Sequence, residues 1–211
     1  MPERFIKRGT FAAVAATLGA CTSVAVPPAD HDLPEVLRAG PEYVLQSALE
    51  ARGQAIFNCK RDGDVLHWRS DGFSATLVDD MRHSVGTVAP GGYFLAYDNS
   101  YVITRPIALA QVSAGGVPWA RLDTRYQASP RRHEGRFGNT ALVQRVRTVG
   151  GIPPRVDCNI EGSALYVPYS ATYLFYTLPA GTQPALPRPA TLPSVPASAA
   201  PSGHYPPLPP L

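Results

Sequence analysis

"YVPYSATYLFY", Tyr166–Tyr176, is the stretch whose reading decides the fold class. Strand side chains alternate between faces, so Val167, Tyr169, Ala171, Tyr173 and Phe175 share one side, while Tyr166, Ser170, Thr172 and Tyr176 share the other. That describes a half-buried strand, and its aromatic content is what strands favour. Further back, "QAIFNC" places Ala55, Phe57 and Cys59 on one face. "VLHW", "SYVIT", "VPWARL" and "ALVQRVRTV" are further short runs, separated by Gly, Pro, Asn and Asp. Asp79-Asp80 reads as a turn and Asp98-Asn99 as a hairpin loop. Only Glu42–Arg52 has helical spacing, through Val44, Leu45, Ala48 and Leu49, with Gly53 to end it. The expectation is an all-β chain: a single antiparallel β-sandwich or barrel-like domain over residues 34–177, with at most a short N-terminal helix.

The flanks differ in composition. Arg4, Lys7 and Arg8 precede the apolar run "FAAVAATLGA", which is too short to span a bilayer but suits the core of a secretory signal. Leu18-Gly19-Ala20-Cys21 resembles the lipobox of bacterial lipoproteins. By that resemblance residues 1–20 are a signal peptide, Cys21 is acylated, and the chain is anchored to the membrane of the cell envelope. The alternative is a plain signal peptide followed by a chance cysteine. Thr22 stands where an inner-membrane retention signal places aspartate, so the resemblance implies the outer membrane, facing the periplasm. Residues 21–33 read as a tether, and residues 178–211 as a Pro-rich, disordered or polyproline II tail. The tail is a spacer, a ligand for a proline-binding groove, or dispensable.

Charge and cysteines narrow the function classes. Lys and Arg total 19 against 16 acids. Without residues 1–20 the formal charge is about +1, which argues against a nucleic-acid partner. Arg131-Arg132-His133 reads as a solvated loop. With Cys21 assigned to lipid, Cys59 and Cys158 remain in an oxidising compartment where disulfides persist. If they pair, they close a loop of about a hundred residues, worth roughly 4–5 kcal/mol; two free thiols are the alternative. No CxxC or Cys/His set supports a zinc or thioredoxin-type site, and neither a metal nor a cofactor is expected.

"ARGQAIFNC" (Ala51–Cys59), "VGT" (Val85–Thr87), "VPWARL" (Val117–Leu122), "VQRVRTVGGIPPRVDC" (Val143–Cys158) and "VPYSATYLFY" (Val167–Tyr176) follow in order. Together they resemble the bacterial and fungal family known as domain of unknown function 3455. Its pattern runs roughly A-x-G-x-Q-I-Y-x-C, G-T-H-Y-x-G-P-T-W, I-P-W-L-L-L, Q-R-x-x-T-x-G-G-x-A-P-x-x-x-C and V-P-Y-x-A-x-Y-x-F-Y. The likeness covers Ala51–Tyr176 and implies a fold and a disulfide more firmly than an activity. This chain departs from the pattern at Val88-Ala89, where the family has His-Tyr, and at Gly91-Gly92-Tyr93-Phe94, where it has G-P-T-W.

Candidate chemistry is sparse. Arg145 and Arg147, spaced to share a strand face, could clamp an anion bidentately; alternatively they face solvent or pair with carboxylates. Gly150-Gly151 and Pro153-Pro154 read as a turn that delivers Cys158 to its partner. Tyr93, Phe94 and Tyr97 cluster in a Gly-rich segment and are candidates for ligand stacking, the alternative being that they cap the core. There is no G-x-S-x-G and no phosphate loop, and no catalytic residue is assigned. The expected function is an envelope lipoprotein acting as a ligand- or partner-binding module, with an envelope glycan or protein as the partner. A hydrolase of envelope glycans or peptides, with His83 and Asp98 as acid and base, is the alternative. The third reading is a structural envelope protein acting through its tail.

Overall fold

The computed structural model describes residues 26–130, 134–153 and 155–179. Eight strands follow one another: β1 Val44–Asp62, β2 Val65–Val78, β3 Ser84–Ala89, β4 Tyr93–Ala96, β5 Tyr101–Ala110, β6 Trp119–Ala128, β7 Leu142–Gly150 and β8 Ala164–Thr177. Each pairs antiparallel with the next, and β8 returns to β1, so the sheet closes into an up-and-down barrel. Of the sandwich and the barrel, the barrel is what forms. The expected signal peptide, the expected lipidation site Cys21 and the Pro-rich stretch from residue 180 onward lie outside the described residues, as do Arg131, Arg132 and His133.

β8 carries the predicted faces. Val167, Tyr169, Ala171, Tyr173 and Phe175 all join the interior cluster, with Leu49, Ala51, Ala55 and Phe57 of β1 and Phe94 of β4. The helix expected over Glu42–Arg52 is overturned: most of that stretch lies in β1, where Val44–Asn58 pairs with β8 from Thr177 back to Ala164. Leu49, Ala51, Ala55, Phe57 and Cys59 recur at every second or fourth position and are buried, so the period of two outweighs the helical spacing of Leu45 and Leu49. The only helical pieces among the described residues are two single 3-10 turns, Asp30–Asp32 and Glu35–Leu37.

Those turns belong to a strap laid over the outside of the barrel. Leu33, Leu37 and Ala39 pack on Leu142 and Val146 of β7 and on Leu174 and Tyr176 of β8, a second apolar cluster on the outer face. A polar network is buried beneath the strap. Gln144 donates from Nε2 to Asp30 Oδ1 at 3.0 Å and to the Leu37 carbonyl at 2.7 Å, and its Oε1 accepts the Tyr176 hydroxyl at 2.7 Å. Burial alone would raise the Asp30 carboxyl, but hydrogen bonds from Ala39, Gln144 and Gly40 and the charge of Arg38 outweigh it and hold it below its ordinary value.

Because the strands alternate in direction, the connections alternate between two ends. At one end the β6–β7 loop inserts Phe137 into the barrel, fully buried and stacked on Phe175 at 4.6 Å between ring centres. Asp98 and Ser100, in the β4–β5 turn, hold that plug: Asp98 Oδ2 accepts the Arg136 N–H at 2.7 Å, and Ser100 Oγ accepts the Phe137 N–H at 3.0 Å. At the other end β1 and β2 run on as an arm, and the expected disulfide Cys59–Cys158 ties the β7–β8 loop to it. Trp68 adds a hydrogen bond from Nε1 to the Val156 carbonyl at 3.0 Å. Gly150 and Gly151 begin that loop at φ +70° and +73°, and a Cβ on Gly150 would stand 2.3 Å from the Pro168 carbonyl oxygen.

Candidate functional site

The barrel is filled at the Phe137 end and hollow at the other. An eight-stranded barrel is just wide enough for side chains to fill it or for one small ligand to replace some of them. Here a cavity of about 790 Å³ opens at the disulfide end. Its walls are Phe57 of β1, Phe73 of β2, Val88 of β3, Phe94 of β4, Leu122 of β6 and Tyr173 of β8. Gly91-Gly92, Val117-Pro118 and Gly151-Ile152-Pro153, from three connections at that end, form the mouth, together with Asp71 and Arg105.

One charge lies deep among these apolar walls. Arg145 points inward from β7, where it pairs with Ala120 of β6 and Tyr173 of β8, and is 8% exposed. Its guanidinium sits 4.6 Å from the centre of the Phe73 ring, a cation–π contact, and Nη2 donates to the Pro118 carbonyl at 2.9 Å. Nε is buried with no hydrogen-bond partner. Among the described residues no carboxylate lies within ion-pair distance of Arg145. Beside it, the hydroxyls of Tyr169 and Tyr173 are 3.0 Å apart. Burial pushes both hydroxyls well up, with the Arg145 charge opposing, so both stay protonated.

The structure separates the residues expected to act together. Arg145 and Arg147 do not share a face. Arg147 takes φ +50° where the β7–β8 register shifts between Val146 and Val149, and this bulge turns it to the outer surface beside Glu50, Arg52 and Thr172. Of the aromatic trio, Phe94 lines the cavity. Tyr93 points outward, its ring centre 5.3 Å from that of Tyr101. Tyr97 lies in the β4–β5 turn at the plugged end, its hydroxyl 2.9 Å from Ser84 Oγ. His83 and Asp98, the acid–base alternative, are in turns at that same end, away from the cavity, and Asp98 is occupied in holding the plug. Its carboxyl, which burial would raise, is held low by hydrogen bonds from Ser100 and Arg136 and by the Arg136 charge. Among the described residues no group of three or more His, Cys, Asp or Glu is placed to hold a metal ion. The walls Phe73 and Leu122 are not among the site residues expected from the sequence, although Phe73, Ala75 and Leu77 in β2, and Ala120 and Leu122 in β6, alternate with polar residues and mark the inner face.

Four of the motif runs reach the cavity: Phe57 from the first, Val117, Pro118 and Leu122 from "VPWARL", Arg145, Gly151, Ile152 and Pro153 from "VQRVRTVGGIPPRVDC", and Tyr173 from the last. Val88, Ala89, Gly91, Gly92 and Phe94, where the chain departs from the family pattern, line it too. Residues 81–177 match the family of proteins of unknown function DUF3455. The DUF3455 stretch contains β3–β8, and the β1 run "ARGQAIFNC" lies before it. The last three of the cavity runs fall inside it, and the one bearing Phe57 lies before it. No curated protein and no solved structure matches the chain.

Proposed function

We propose that this protein is a binding barrel that takes one small, largely apolar molecule into the open end. One observation carries the reading: a largely apolar cavity of about 790 Å³ is lined by residues from four of the runs by which the chain resembles DUF3455. Small-molecule sites are typically about 300–1,000 Å³, mainly hydrophobic, with a few convergent polar groups. The reading extends to an exported, lipid-anchored protein of the cell envelope, facing the periplasm; it rests on the Cys21 sequence and is consistent with the Cys59–Cys158 disulfide. Phe94 and Arg145 then act from inside the barrel, and Tyr93, Tyr97 and Arg147 play no part in binding.

A thermal-shift panel on the disulfide-intact chain tests it, with small apolar molecules, peptidoglycan fragments and glycans. A ligand at about a hundredfold excess over its dissociation constant stabilises the native state by about 2.7 kcal/mol, which such a screen reads easily. Apolar molecules are expected to raise the melting temperature at one-to-one stoichiometry, and Val88→Trp, which fills the cavity, is expected to remove the rise. A rise that survives in Val88→Trp, or one caused only by glycans, places the function elsewhere on the molecule.

A further inference from the structure

Resting on that reading, we infer that the ligand is a monoanionic amphiphile, a carboxylate on an apolar body, held head-inward on Arg145 with its body against the walls and mouth. The argument starts from the cost of the arginine. A buried cation without a counter-charge is unfavourable, and proteins that keep one give it an anion or a function. Among the described residues no carboxylate lies within ion-pair distance of Arg145; its neighbours are the Phe73 ring, the Pro118 carbonyl and the Tyr173 hydroxyl, and its Nε is buried with no hydrogen-bond partner. A guanidinium carries five N–H donors in a planar fork that matches a carboxylate bidentately. One guanidinium neutralises one negative charge, so a monoanion fits and a dianion leaves a surplus buried.

The surroundings set the rest of the ligand. Tyr173 stands beside the guanidinium, and its neutral hydroxyl can donate a further hydrogen bond to an oxyanion. Below this level the barrel is closed by Phe94, Phe137 and Phe175 packed edge to face and stacked, so the head group stops there. Above it, Phe57, Phe73 and Val88 offer only apolar contact up to Leu109 and Ile152 at the mouth, both exposed. A polar body, such as a sugar, would lose its hydration against Phe57, Phe73 and Val88 without hydrogen bonds in return, although Ser70, Asp71, Thr104, Arg105 and Gln111 also line the cavity.

The test uses three probes of equal chain length: decanoate, decanol and decylamine. Their affinities for the disulfide-intact chain are measured by calorimetry at neutral pH. Decanoate is expected to bind about tenfold or more tightly than decanol, with decylamine weakest, as a charge-assisted pair in a dry site requires. Arg145→Met should remove the difference in affinity between decanoate and decanol. Should that variant fail to fold, carboxyl-¹³C decanoate decides on the unaltered chain. Bound beside Arg145, its carboxyl stays ionised at lower pH than in free solution; a bound carboxyl that titrates at or above the free value overturns the inference. Equal binding of decanoate and decanol also overturns it, yet keeps the apolar-binding reading. If none of the three binds, both fail.

Discussion

The carboxylate of Asp98 accepts the backbone N–H of Arg136 at 2.7 Å across 38 residues of chain, and Phe137, the next residue, closes the barrel from within. The β4–β5 turn therefore holds the plug with a charged acceptor. Hydrogen bonds to ionised groups contribute about 1.5–3 kcal/mol each. Asp98→Ala is expected to destabilise the chain by about 2–3 kcal/mol, read as a lower denaturant midpoint with unchanged slope. The pH dependence has a definite sign. The Asp98 carboxyl is held below its ordinary value when folded, so its contribution is complete above about pH 4 and is lost as pH falls below that. The unaltered chain should therefore lose stability with acid more steeply than Asp98→Ala does.

The network under the strap predicts the opposite end of the pH scale. Burial, with the neighbouring Asp30 charge, pushes the Tyr176 hydroxyl up to about 12. A raised pKa means the folded state keeps the proton, so this contribution is intact below about pH 10 and disappears as pH rises towards 12. Alkaline unfolding should begin in that window. Followed at 295 nm, the absorbance step of Tyr169, Tyr173 and Tyr176 should coincide with loss of β circular dichroism rather than precede it. Gln144→Leu removes the donor to Leu37 and the acceptor for Tyr176 together, and should cost about 2–4 kcal/mol because both partners stay buried.

The disulfide joins cysteines 99 residues apart, at the end of the barrel where the cavity opens. In the chain-entropy model such a loop contributes about 4–5 kcal/mol through the unfolded state. Reduction, or the pair Cys59→Ala and Cys158→Ala, should lower the melting temperature by roughly 10 °C or more for a domain of this size. The barrel strands should keep their circular dichroism, since the bond ties the loop to the β1–β2 arm and not to the closed part of the sheet.

Much of the fold is legible in the sequence because strand alternation is local. β8 shows its two faces outright, and Ala55, Phe57 and Cys59 mark the inner side of β1. The first half of β1 misleads because Ala48, Leu49 and Ala51 are small or helix-compatible residues, and the pairing with β8 overrides their propensity. Closure is not legible: whether the last strand meets the first depends on twist and register along all eight strands, not on any one segment. Nor is the second burial of β8. Leu174 and Tyr176 face outward and read as solvent-side positions, and only the strap bearing Leu33 and Leu37 covers them. Arg145 was visible as a candidate, but its isolation was not, because the absence of a carboxylate is a property of the surrounding strands.

The bulge in β7 yields the last prediction, since it decides between two arginines that the sequence spaces as a pair. Arg147 occupies φ +50°, a conformation that costs a residue with a Cβ about 1–2 kcal/mol and glycine little. Its side chain is on the outer surface, outside the cavity. Arg147→Gly should therefore leave stability unchanged or raise it by up to about 1 kcal/mol, the relief of strain being partly offset by the greater backbone freedom of glycine when unfolded. Binding of decanoate should be unaffected. Arg145→Met, two residues away, should abolish the preference for the carboxylate. A clamp formed by both arginines requires the two substitutions to weaken binding alike, so measuring both variants against one probe separates an inward cation from a surface one.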